Sequence, residues 1–263
     1  MKPILVQAAV PRELELLASM LEGRRSVGRG LYPATEGFLG DASLVCCAGG
    51  VGKANAAASA TYLLEQYRPS LMIITGCGGA YPGSGLAVGD LAVASDELFA
   101  DEGTETPDGW LDLRAMQLPL YTQQNRQYYN TIPLSRHAAE KAMQLADTHG
   151  VRLTRGRFLT VSACSGTRAR GLELRRRHQA ICENMEGASC ALVALRYGVP
   201  CLEIRGISNL VEDRDLSRWD LLLAMEAAQR FVIKVVEDLQ RSSLSGEPII
   251  LTETEEIDKD DAA

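Results

Sequence analysis

Residues 43–79 read SLVCCAGGVGKANAAASATYLLEQYRPSLMIITGCGG, and this stretch decides the fold. Two short apolar runs, Ser43 to Ala48 and Leu71 to Thr75, end in glycine-rich turns, which is typical of buried β-strands. Between them, Lys53 to Tyr67 is rich in alanine and is stopped by Pro69, which predicts a helix. A strand, a helix and a second strand in this order predict two parallel strands joined by a helical crossover.

The same alternation continues in both directions from this unit. Further buried strands are predicted at Ile4 to Ala9, Leu91 to Leu98, Gly156 to Ser162 and Pro200 to Ile207. Helices are predicted at Pro11 to Met20, Ser135 to His149, Met185 to Tyr197 and Asp220 to Leu239. The pattern predicts an α/β fold, a single domain over residues 1–242 with a mixed, mostly parallel central sheet flanked by helices. Residues 100–133 show no period, and we expect a long loop there, of the kind that covers a site.

The charge of the chain is unevenly distributed. The formal net charge of the 263 residues is −7, but residues 247–263 contain seven acidic residues and one lysine, which leaves −1 for the remainder. We therefore predict that residues 243–263 form an acidic, disordered tail. The nearly neutral body gives no support to nucleic acid as a partner.

No segment of the sequence indicates a membrane or a secreted protein. No apolar run approaches the roughly 18 residues of a membrane span, and the stretch before Pro11 is too short for a signal peptide. The seven cysteines are irregularly spaced, without a CxxC pair or a zinc-type cluster. We expect a cytoplasmic protein with reduced cysteines and neither metal nor organic cofactor.

Three predicted strands end in small residues, at Gly49–Gly52, Gly76–Gly79 and Ser162–Gly166. Ligands of α/β sheets bind at the carboxyl ends of strands, where glycine lets backbone N–H groups approach them closely. Because none of these turns matches a nucleotide-phosphate motif, they indicate only a small polar ligand.

Three polar residues follow predicted strands or open helices. Glu13 opens the first helix, where the helix dipole favours an acidic side chain. Glu186 enters an otherwise apolar helix, where a charge is unfavourable unless it is paired or binds a ligand. Asn209 follows the last strand, as a turn-former or as a ligand contact.

Four motifs, taken in order, resemble the nucleoside phosphorylase and nucleosidase superfamily, and the resemblance covers residues 3–240. The motifs are Ala9-Val10-Pro11-Arg12-Glu13-Leu14, Thr75-Gly76-Cys77-Gly78-Gly79, Met185-Glu186-Gly187-Ala188 and Arg205-Gly206-Ile207-Ser208-Asn209. Within the superfamily the chain is most similar to the futalosine hydrolase subfamily. That likeness rests on Tyr81 to Gly85, Asp101 to Gly103, and Asn209 followed by Arg214-Asp215.

The resemblance implies a role for each matching residue. Glu13 would activate the attacking water, with Glu15 a less favoured candidate. Met185 and Glu186 would bind the ribose. Asn209 would contact the purine and assist its departure. The predicted substrate-binding set also contains Cys77, Gly78 and Ser208. Relatives of this kind form homodimers or larger homo-oligomers, and we expect the same here.

The residue at position 209 bears on the choice of base. Adenine-releasing relatives usually carry Asp here, because a carboxylic acid can give a proton to N7 of adenine. An asparagine cannot act as such an acid, but it offers one acceptor and two donors to a 6-oxopurine. Asn209 therefore favours hypoxanthine, the base of futalosine. The predicted reaction is hydrolysis of futalosine, a step of menaquinone biosynthesis.

Three alternatives stay open. A purine nucleoside phosphorylase would need a phosphate site, but Ile74 and Cys77 stand where hexameric phosphorylases carry an arginine and a serine. An adenine-releasing nucleosidase would leave Asn209 unexplained. A non-catalytic nucleoside-binding protein would not need both Glu13 and Glu186. The aryl carboxylate of futalosine calls for a cation, for which Arg168 and Arg170 are candidates.

Overall fold

The computed structural model describes residues 2–28 and 32–244. All but the first two residues of the predicted acidic tail, 243–263, lie outside the described residues, so its proposed disorder stays a prediction. In the described part of the chain, no helix is long and apolar enough to cross a membrane.

The strands and helices of the described residues follow the predicted alternation, with several additions. The strands are β1 (Ile4–Ala8), β2 (Glu22–Val27), β3 (Ala34–Leu39), β4 (Ala42–Ala48), β5 (Leu71–Ala80), β6 (Leu91–Phe99), β7 (Gly103–Thr106), β8 (Gly109–Asp112), β9 (Tyr121–Gln123), β10 (Arg126–Tyr128), β11 (Thr131–Pro133), β12 (Leu153–Thr160), β13 (Cys182–Asn184) and β14 (Cys201–Leu210). The helices are α1 (Glu15–Ser19), α2 (Lys53–Tyr67), α3 (Arg136–Thr148), α4 (Arg168–His178), α5 (Gly187–Tyr197) and α6 (Leu221–Leu244).

The central sheet is mixed, as predicted. Its order is β11-β6-β12-β13-β5-β1-β4-β3-β2, and β14 pairs with both β5 and β6. The parallel pairs are β1 with β4 and β5, β12 with β6 and β13, and β14 with β5. The strands β5, β14, β6, β12 and β13 each pair with the next, and β13 pairs with β5 again, so these five close into a ring.

Strand β5 shows why the chain forms helical layers on both faces of the sheet. Successive side chains of a strand point to opposite faces. Met72 and Ile74 belong to a core shared with α2 and α5, whereas Leu71 and Ile73 belong to a second core shared with α3 and α6. The continuous apolar run at 71–74 is thereby buried on both sides, which confirms the predicted α/β architecture.

Three predicted elements differ from the structure. Gly76–Gly79 is not a turn: these residues continue β5 and pair with β14 and β13, because the missing side chains let neighbouring strands approach. The helix predicted over Pro11 to Met20 is divided into a 3₁₀ turn at Pro11–Glu13 and the short α1. The loop predicted over residues 100–133 contains two hairpins, β7–β8 and β9–β10, and the strand β11.

Outside residues 100–133, four further elements of the described chain were not predicted, and each lacks the periodicity that would reveal it. Strand β2 has the sequence EGRRSV and is exposed along almost its whole length. Helix α4 has the sequence RARGLELRRRH and buries only Gly171 and Leu174. Strand β3 and the three-residue β13 are also additions. The edge strand β2 and the surface helix α4 carry no apolar stripe to read, and the buried β13 is too short to show a period.

Candidate active site

Glu13 lies at the carboxyl end of β1 and is held by three backbone donors. Its Oε2 accepts hydrogen bonds from the N–H groups of Ala9, at 3.0 Å, and Val10, at 3.1 Å. Its Oε1 accepts a bond from the N–H of Cys77 in β5, at 2.9 Å. The side chain is only 5% exposed, so the 3₁₀ turn and the strand together fix one orientation of the carboxylate.

Gly76 makes room for this carboxylate. A Cβ atom at position 76 would lie 2.5 Å from Oε1 of Glu13 and 3.0 Å from Nη1 of Arg205. The φ angle of Gly76 is +142°, a conformation that residues with side chains rarely adopt. Glycine is therefore needed here for both its backbone conformation and the close approach of Glu13.

Arg205 lies at the centre of the site, although the sequence analysis assigned it no role. Its guanidinium is buried and donates to Oε1 of Glu203 at 2.8 Å and to the carbonyl of Cys77 at 3.2 Å. Its Nη1 is 3.6 Å from Oε2 of Glu186. Burial alone would lower the pKa of Arg205, but the carboxylates of Glu203, Glu186 and Glu13 raise it on balance. The arginine therefore stays charged and balances this acidic cluster.

Glu186 precedes α5 and faces the glycine loop after β4. Its Oε1 accepts a hydrogen bond from the N–H of Gly52 at 3.0 Å. Asn184 fixes its backbone, because Oδ1 of Asn184 accepts from the N–H groups of Glu186 at 2.9 Å and of Gly187 at 2.7 Å. The carboxylate is thus held between Gly52 and Arg205, with lone pairs left for further donors.

Behind Glu186, two carboxyl groups meet in a fully buried pair. Glu97 and Glu203 are both 0% exposed, and a Cβ on Gly187 would lie within 2.6 Å of oxygens of both. Glu97 accepts from Thr160 at 2.7 Å and from Asn184 at 2.5 Å. Burial and the nearby Glu203 raise the pKa of Glu97 well above its usual range. Because Glu203 is bonded to Arg205, we assign the shared proton to Glu97.

Ser208 and Asn209 lie at the end of β14, next to the glycines of β5. The hydroxyl of Ser208 donates to Oδ1 of Asn209 at 2.8 Å and is 3.3 Å from the carbonyl of Gly78. The amide of Asn209 donates to the carbonyl of Leu210 at 3.1 Å. A register shift between Ile207 and Asn209 turns this end of the strand. Asn209 is partly buried, with its amide orientation fixed on both sides.

Cys77, Gly78 and Met185 also lie close to these groups. Cys77 is half-buried, and burial together with the Glu13 carboxylate raises the pKa of its thiol to about 12, so it is neutral at physiological pH. Gly78 is buried, and a Cβ there would lie 2.4 Å from the sulfur of Cys182. Met185 is half-buried directly before Glu186. The structure therefore brings the predicted site residues together near the carboxyl ends of the central strands.

A further carboxylate, Glu183, was also not singled out by the sequence analysis. Its Oε2 accepts from the hydroxyl of Tyr81 at 2.8 Å and of Ser165 at 2.6 Å, and its Oε1 accepts from the N–H of Ser165 at 2.8 Å. Burial and this carboxylate raise the pKa of Tyr81. These bonds tie the Ser162–Gly166 loop to β13.

Lys53 joins three segments that border the site. At the start of α2 it forms ion pairs with Asp101 and with Glu102, the latter at 3.0 Å. Asp101 also accepts from the N–H of Ser162 at 2.6 Å. Burial alone would raise the pKa of Asp101, but Lys53 and the Ser162 N–H lower it. The beginning of the 100–133 segment is thereby fixed against two loops at the strand ends.

The residues that the sequence analysis missed carried a usable signal. Glu97, Glu203 and Arg205 all lie in apolar strand sequences, LAVASDELF and CLEIRGISNL. The argument applied to Glu186, that a charge in an apolar segment must have a partner, applies equally to them. Arg168 and Arg170, the candidates for a carboxylate contact, are exposed at the start of α4, where the N–H of Arg168 donates to Asp213 at 3.1 Å.

Comparison with known proteins agrees with this geometry. The Phosphorylase superfamily profile matches residues 3–241. The futalosine hydrolase of Streptomyces coelicolor is 37% identical over 199 residues, which are 73% of this chain and 78% of that protein. The 5'-methylthioadenosine/S-adenosylhomocysteine nucleosidase of Maridesulfovibrio salexigens is 28% identical over 236 residues, 88% of this chain and 97% of that protein.

Among solved structures, the 5'-methylthioadenosine/S-adenosylhomocysteine nucleosidase of Neisseria meningitidis, in complex with methylthio-immucillin-A, matches with a TM-score of 0.79 at 23% identity. The match covers 90% of this chain and all of that one, and it confirms the predicted fold. With a family profile that spans nearly all the described residues, the resemblance noted in the sequence is confirmed. The chain belongs to the Phosphorylase superfamily.

Proposed function

We propose that this protein is a nucleosidase that hydrolyses the N-glycosidic bond of futalosine and releases hypoxanthine, as a step of menaquinone biosynthesis. One observation carries the proposal: the same site contains a fixed carboxylate and a fixed amide. The carboxylate of Glu13 is held by three backbone N–H groups, and the amide of Asn209 is held by hydrogen bonds with Ser208 and Leu210. The 37% identical Streptomyces coelicolor futalosine hydrolase supports the choice of substrate.

The reaction leaves positive charge on the ribose and negative charge on the base. Glu186 accepts hydrogen bonds from the ribose hydroxyls, with Met185 against the sugar. Glu13 takes a proton from a water molecule that attacks the anomeric carbon. The carboxylates of Glu13 and Glu186 stabilise the developing positive charge, while their bonds to backbone N–H groups keep them from moving during the reaction.

Asn209 recognises the base. Its carbonyl oxygen, which already accepts from Ser208, has a second lone pair for N1–H of a 6-oxopurine, and its amide can donate to O6 or N7. The contact to N1–H recognises the base, whereas the bond donated to O6 or N7 stabilises the hypoxanthine anion that leaves with the electron pair of the C1′–N9 bond. The water oxygen bonds to C1′ as its proton passes to Glu13, and the anion then takes a proton from solvent, to which Glu13 returns its own. Adenine has no N1–H and carries an amino group in place of O6, so it fits this arrangement less well.

Water is favoured over phosphate as the nucleophile. Ile74 is buried in the core, and the neutral thiol of Cys77 does not attract an anion. Arg205, the cation beside Glu13, is already neutralised by Glu203 and Glu186. A phosphate dianion here would face three carboxylates.

The test is a substrate panel of futalosine, aminodeoxyfutalosine, inosine and methylthioadenosine, each with and without phosphate. We expect hypoxanthine from futalosine at the highest kcat/KM, at a rate that phosphate does not change. Strict dependence on phosphate would make the protein a phosphorylase. Efficient adenine release with little turnover of futalosine would refute the proposed substrate.

A 5'-methylthioadenosine/S-adenosylhomocysteine nucleosidase is the second candidate function. It is favoured by the 28% identical relative from Maridesulfovibrio salexigens, of which the chain covers 97%. The same panel decides between the two candidates. A homo-oligomer and a cytoplasmic location stay predictions, which sedimentation of the purified protein and cell fractionation would test.

A further inference from the structure

A cleft of about 1050 Å³ opens beside the carboxyl ends of β1 and β4. The 3₁₀ turn and α1 line one wall, and β3 with residues of β2 lines the other. Two lining residues also belong to the candidate active site. The N–H of Ala9 donates to Glu13 at 3.0 Å, and the N–H of Gly50 donates to the carbonyl of Ala9 at 3.0 Å. The cleft and the active site therefore share a rim.

The cleft carries more positive than negative charge. Arg12 and Arg24 line it together with the single carboxylate Glu15, and Ser19, Ser26 and Thr35 add hydroxyl groups. Among the described residues, neither Arg12 nor Arg24 forms an ion pair, whereas the neighbouring Arg25 is paired with Glu36. Two guanidinium groups that face a cleft without a carboxylate partner match a carboxylate ligand.

The cleft begins beside the carboxylate that we propose to bind the ribose. Gly50 lines the cleft and lies two residues before Gly52, whose N–H donates to Glu186 at 3.0 Å. With the ribose at Glu186 and the base at Asn209, the 5′ carbon lies on the far side of the ring oxygen from the base, so a substituent on it points away from Asn209, and the cleft is the space that we assign to it. Arg168 lies on the opposite side, because its N–H bonds Asp213, close after the base-contacting end of β14.

We propose that this cleft binds an elongated 5′ substituent of the substrate, and that Arg12 and Arg24 bind a carboxylate at its end. The inference rests on the proposed nucleosidase function and narrows it to nucleosides with an anionic 5′ extension. Futalosine, whose 5′ extension ends in an aryl carboxylate, is such a substrate. Inosine, whose 5′ position carries only a hydroxyl group, lacks the group that the arginines bind.

The test compares these two substrates in the variants R12A, R24A and R12A/R24A. For futalosine we expect KM to rise about 10- to 100-fold in the double variant, with kcat within threefold of the wild type, since hydrogen bonds to a charged group are lost. For inosine, and for futalosine with its carboxylate converted to a methyl ester, KM should stay within twofold. The matched control is R230A, an exposed arginine of α6 that is paired with Glu226.

Each other outcome is decisive. An unchanged KM for futalosine in R12A/R24A, or an equal rise in KM for futalosine and inosine, overturns the cleft proposal while leaving the proposed function intact. A wild-type enzyme that cleaves inosine or methylthioadenosine but not futalosine overturns the proposed function, and the cleft proposal with it. Added salt should raise KM for futalosine in the wild type and have little effect on it in the double variant.

Discussion

Glu13 and Cys77 are 64 residues apart in the chain, yet the N–H of Cys77 donates to the Glu13 carboxylate at 2.9 Å. The bond joins the end of β1 to the middle of β5. It works together with the N–H groups of Ala9 and Val10, so that both carboxylate oxygens are fixed by the backbone. The carboxylate that we propose as the general base therefore needs no side-chain partner to keep its orientation.

The variant E13Q should lose most of its activity while it keeps its fold. An amide cannot take a proton from water, so we expect kcat for futalosine to fall by about 10²- to 10⁴-fold, with KM little changed. Initial rates of hypoxanthine release measure the effect. As a matched control, E226Q removes an exposed carboxylate on α6 and should leave kcat unchanged. Full activity in E13Q would assign the base to another residue.

The variant G76A tests whether the position of Glu13, and not only its presence, matters. The added Cβ would lie 2.5 Å from Oε1 and force the carboxylate to move. We expect kcat to fall by about 100-fold, and the left-handed φ of +142° to add a destabilisation of about 1–3 kcal/mol. Kinetics and urea unfolding measure the two effects.

The control for G76A is G150A. Gly150 follows α3, away from the site, and a Cβ there meets no atom within 4 Å, although its φ of +62° is left-handed. It should therefore retain the wild-type kcat while losing stability, which separates backbone strain from displacement of Glu13. Wild-type kinetics in G76A would show that Glu13 can shift without loss and would contradict the role assigned to its orientation.

The variant N209D should move the preference from 6-oxopurines toward adenine. An aspartate at 209 would place a carboxylate oxygen against the carbonyl of Leu210, which now accepts from the amide, and this repulsion favours the protonated acid. A protonated acid can serve N7 of adenine. We expect the ratio of kcat/KM for aminodeoxyfutalosine over futalosine to rise on the order of 10²-fold.

If the ratio of the two kcat/KM values is unchanged in N209D, residue 209 does not determine which base is accepted. The variant N209A distinguishes a loss of base recognition from a switch of base preference. It removes the hydrogen bonds to either base, so it should lower both values of kcat/KM without reversing their order.

The fold was largely predictable because its central strands carry strong local signals. Residues 43–79 contain all of α2 and all but one residue of each flanking strand, and the predicted bounds of α2 match the structure. The glycines at 76–79 misled the prediction, since glycine breaks most strands. Here they stay in β5 because Glu13 and Cys182 occupy the space that side chains would need. Such packing comes from residues distant in sequence and cannot be read locally.

The residues of the candidate site also divide into those that the sequence singled out and those that only the fold brings together. Glu13, Glu186 and Asn209 follow strands or open helices, so position alone singled them out. Glu97, Glu203 and Arg205 lie inside strands, and only the pairing of β14 with β6 and β5 brings them together behind Glu186. A sequence shows that such charges need partners, but topology decides which partners they find.

The buried pair Glu97 and Glu203 predicts an asymmetry between two isosteric variants. If Glu97 carries the proton, its replacement by the neutral glutamine changes little, and E97Q should keep kcat/KM within about tenfold. In E203Q, Arg205 loses the carboxylate that it bonds at 2.8 Å and stays buried with less compensation. We expect kcat/KM to fall by about 10²-fold, together with a lower melting temperature.

The reverse order of these two variants would place the proton on Glu203. Rates for futalosine over pH 5 to 9 add a second measurement. Because Arg205 contacts Glu186 as well as Glu203, E203Q should change the pH dependence of kcat/KM, whereas a purely structural defect would lower activity equally at every pH.

The raised pKa of Glu97 also predicts how stability depends on pH. The ordinary pKa of a glutamate side chain is 4.5, so the unfolded chain loses the Glu97 proton above that pH. The folded protein keeps the proton to higher pH, because Glu97 is buried beside Glu203. A raised pKa contributes stability that is complete below 4.5 and is lost as pH rises through the folded value. The free energy of unfolding of the wild type should therefore fall relative to E97Q as pH increases, by at most about 1.4 kcal/mol per pH unit.

Urea unfolding at several pH values from 3 to 8 measures this difference, and E140Q gives a control of opposite sign, whose effect falls at the acidic end of that range. The pKa of Glu140 is lowered by its bond to Arg136 on the surface, so its contribution is present above 4.5 and is lost as pH falls. With rising pH, the free energy of unfolding of the wild type should thus increase relative to that of E140Q and decrease relative to that of E97Q. If the curves of the wild type and E97Q run parallel, Glu97 is ionised in the folded protein, and the proton of the pair must lie elsewhere.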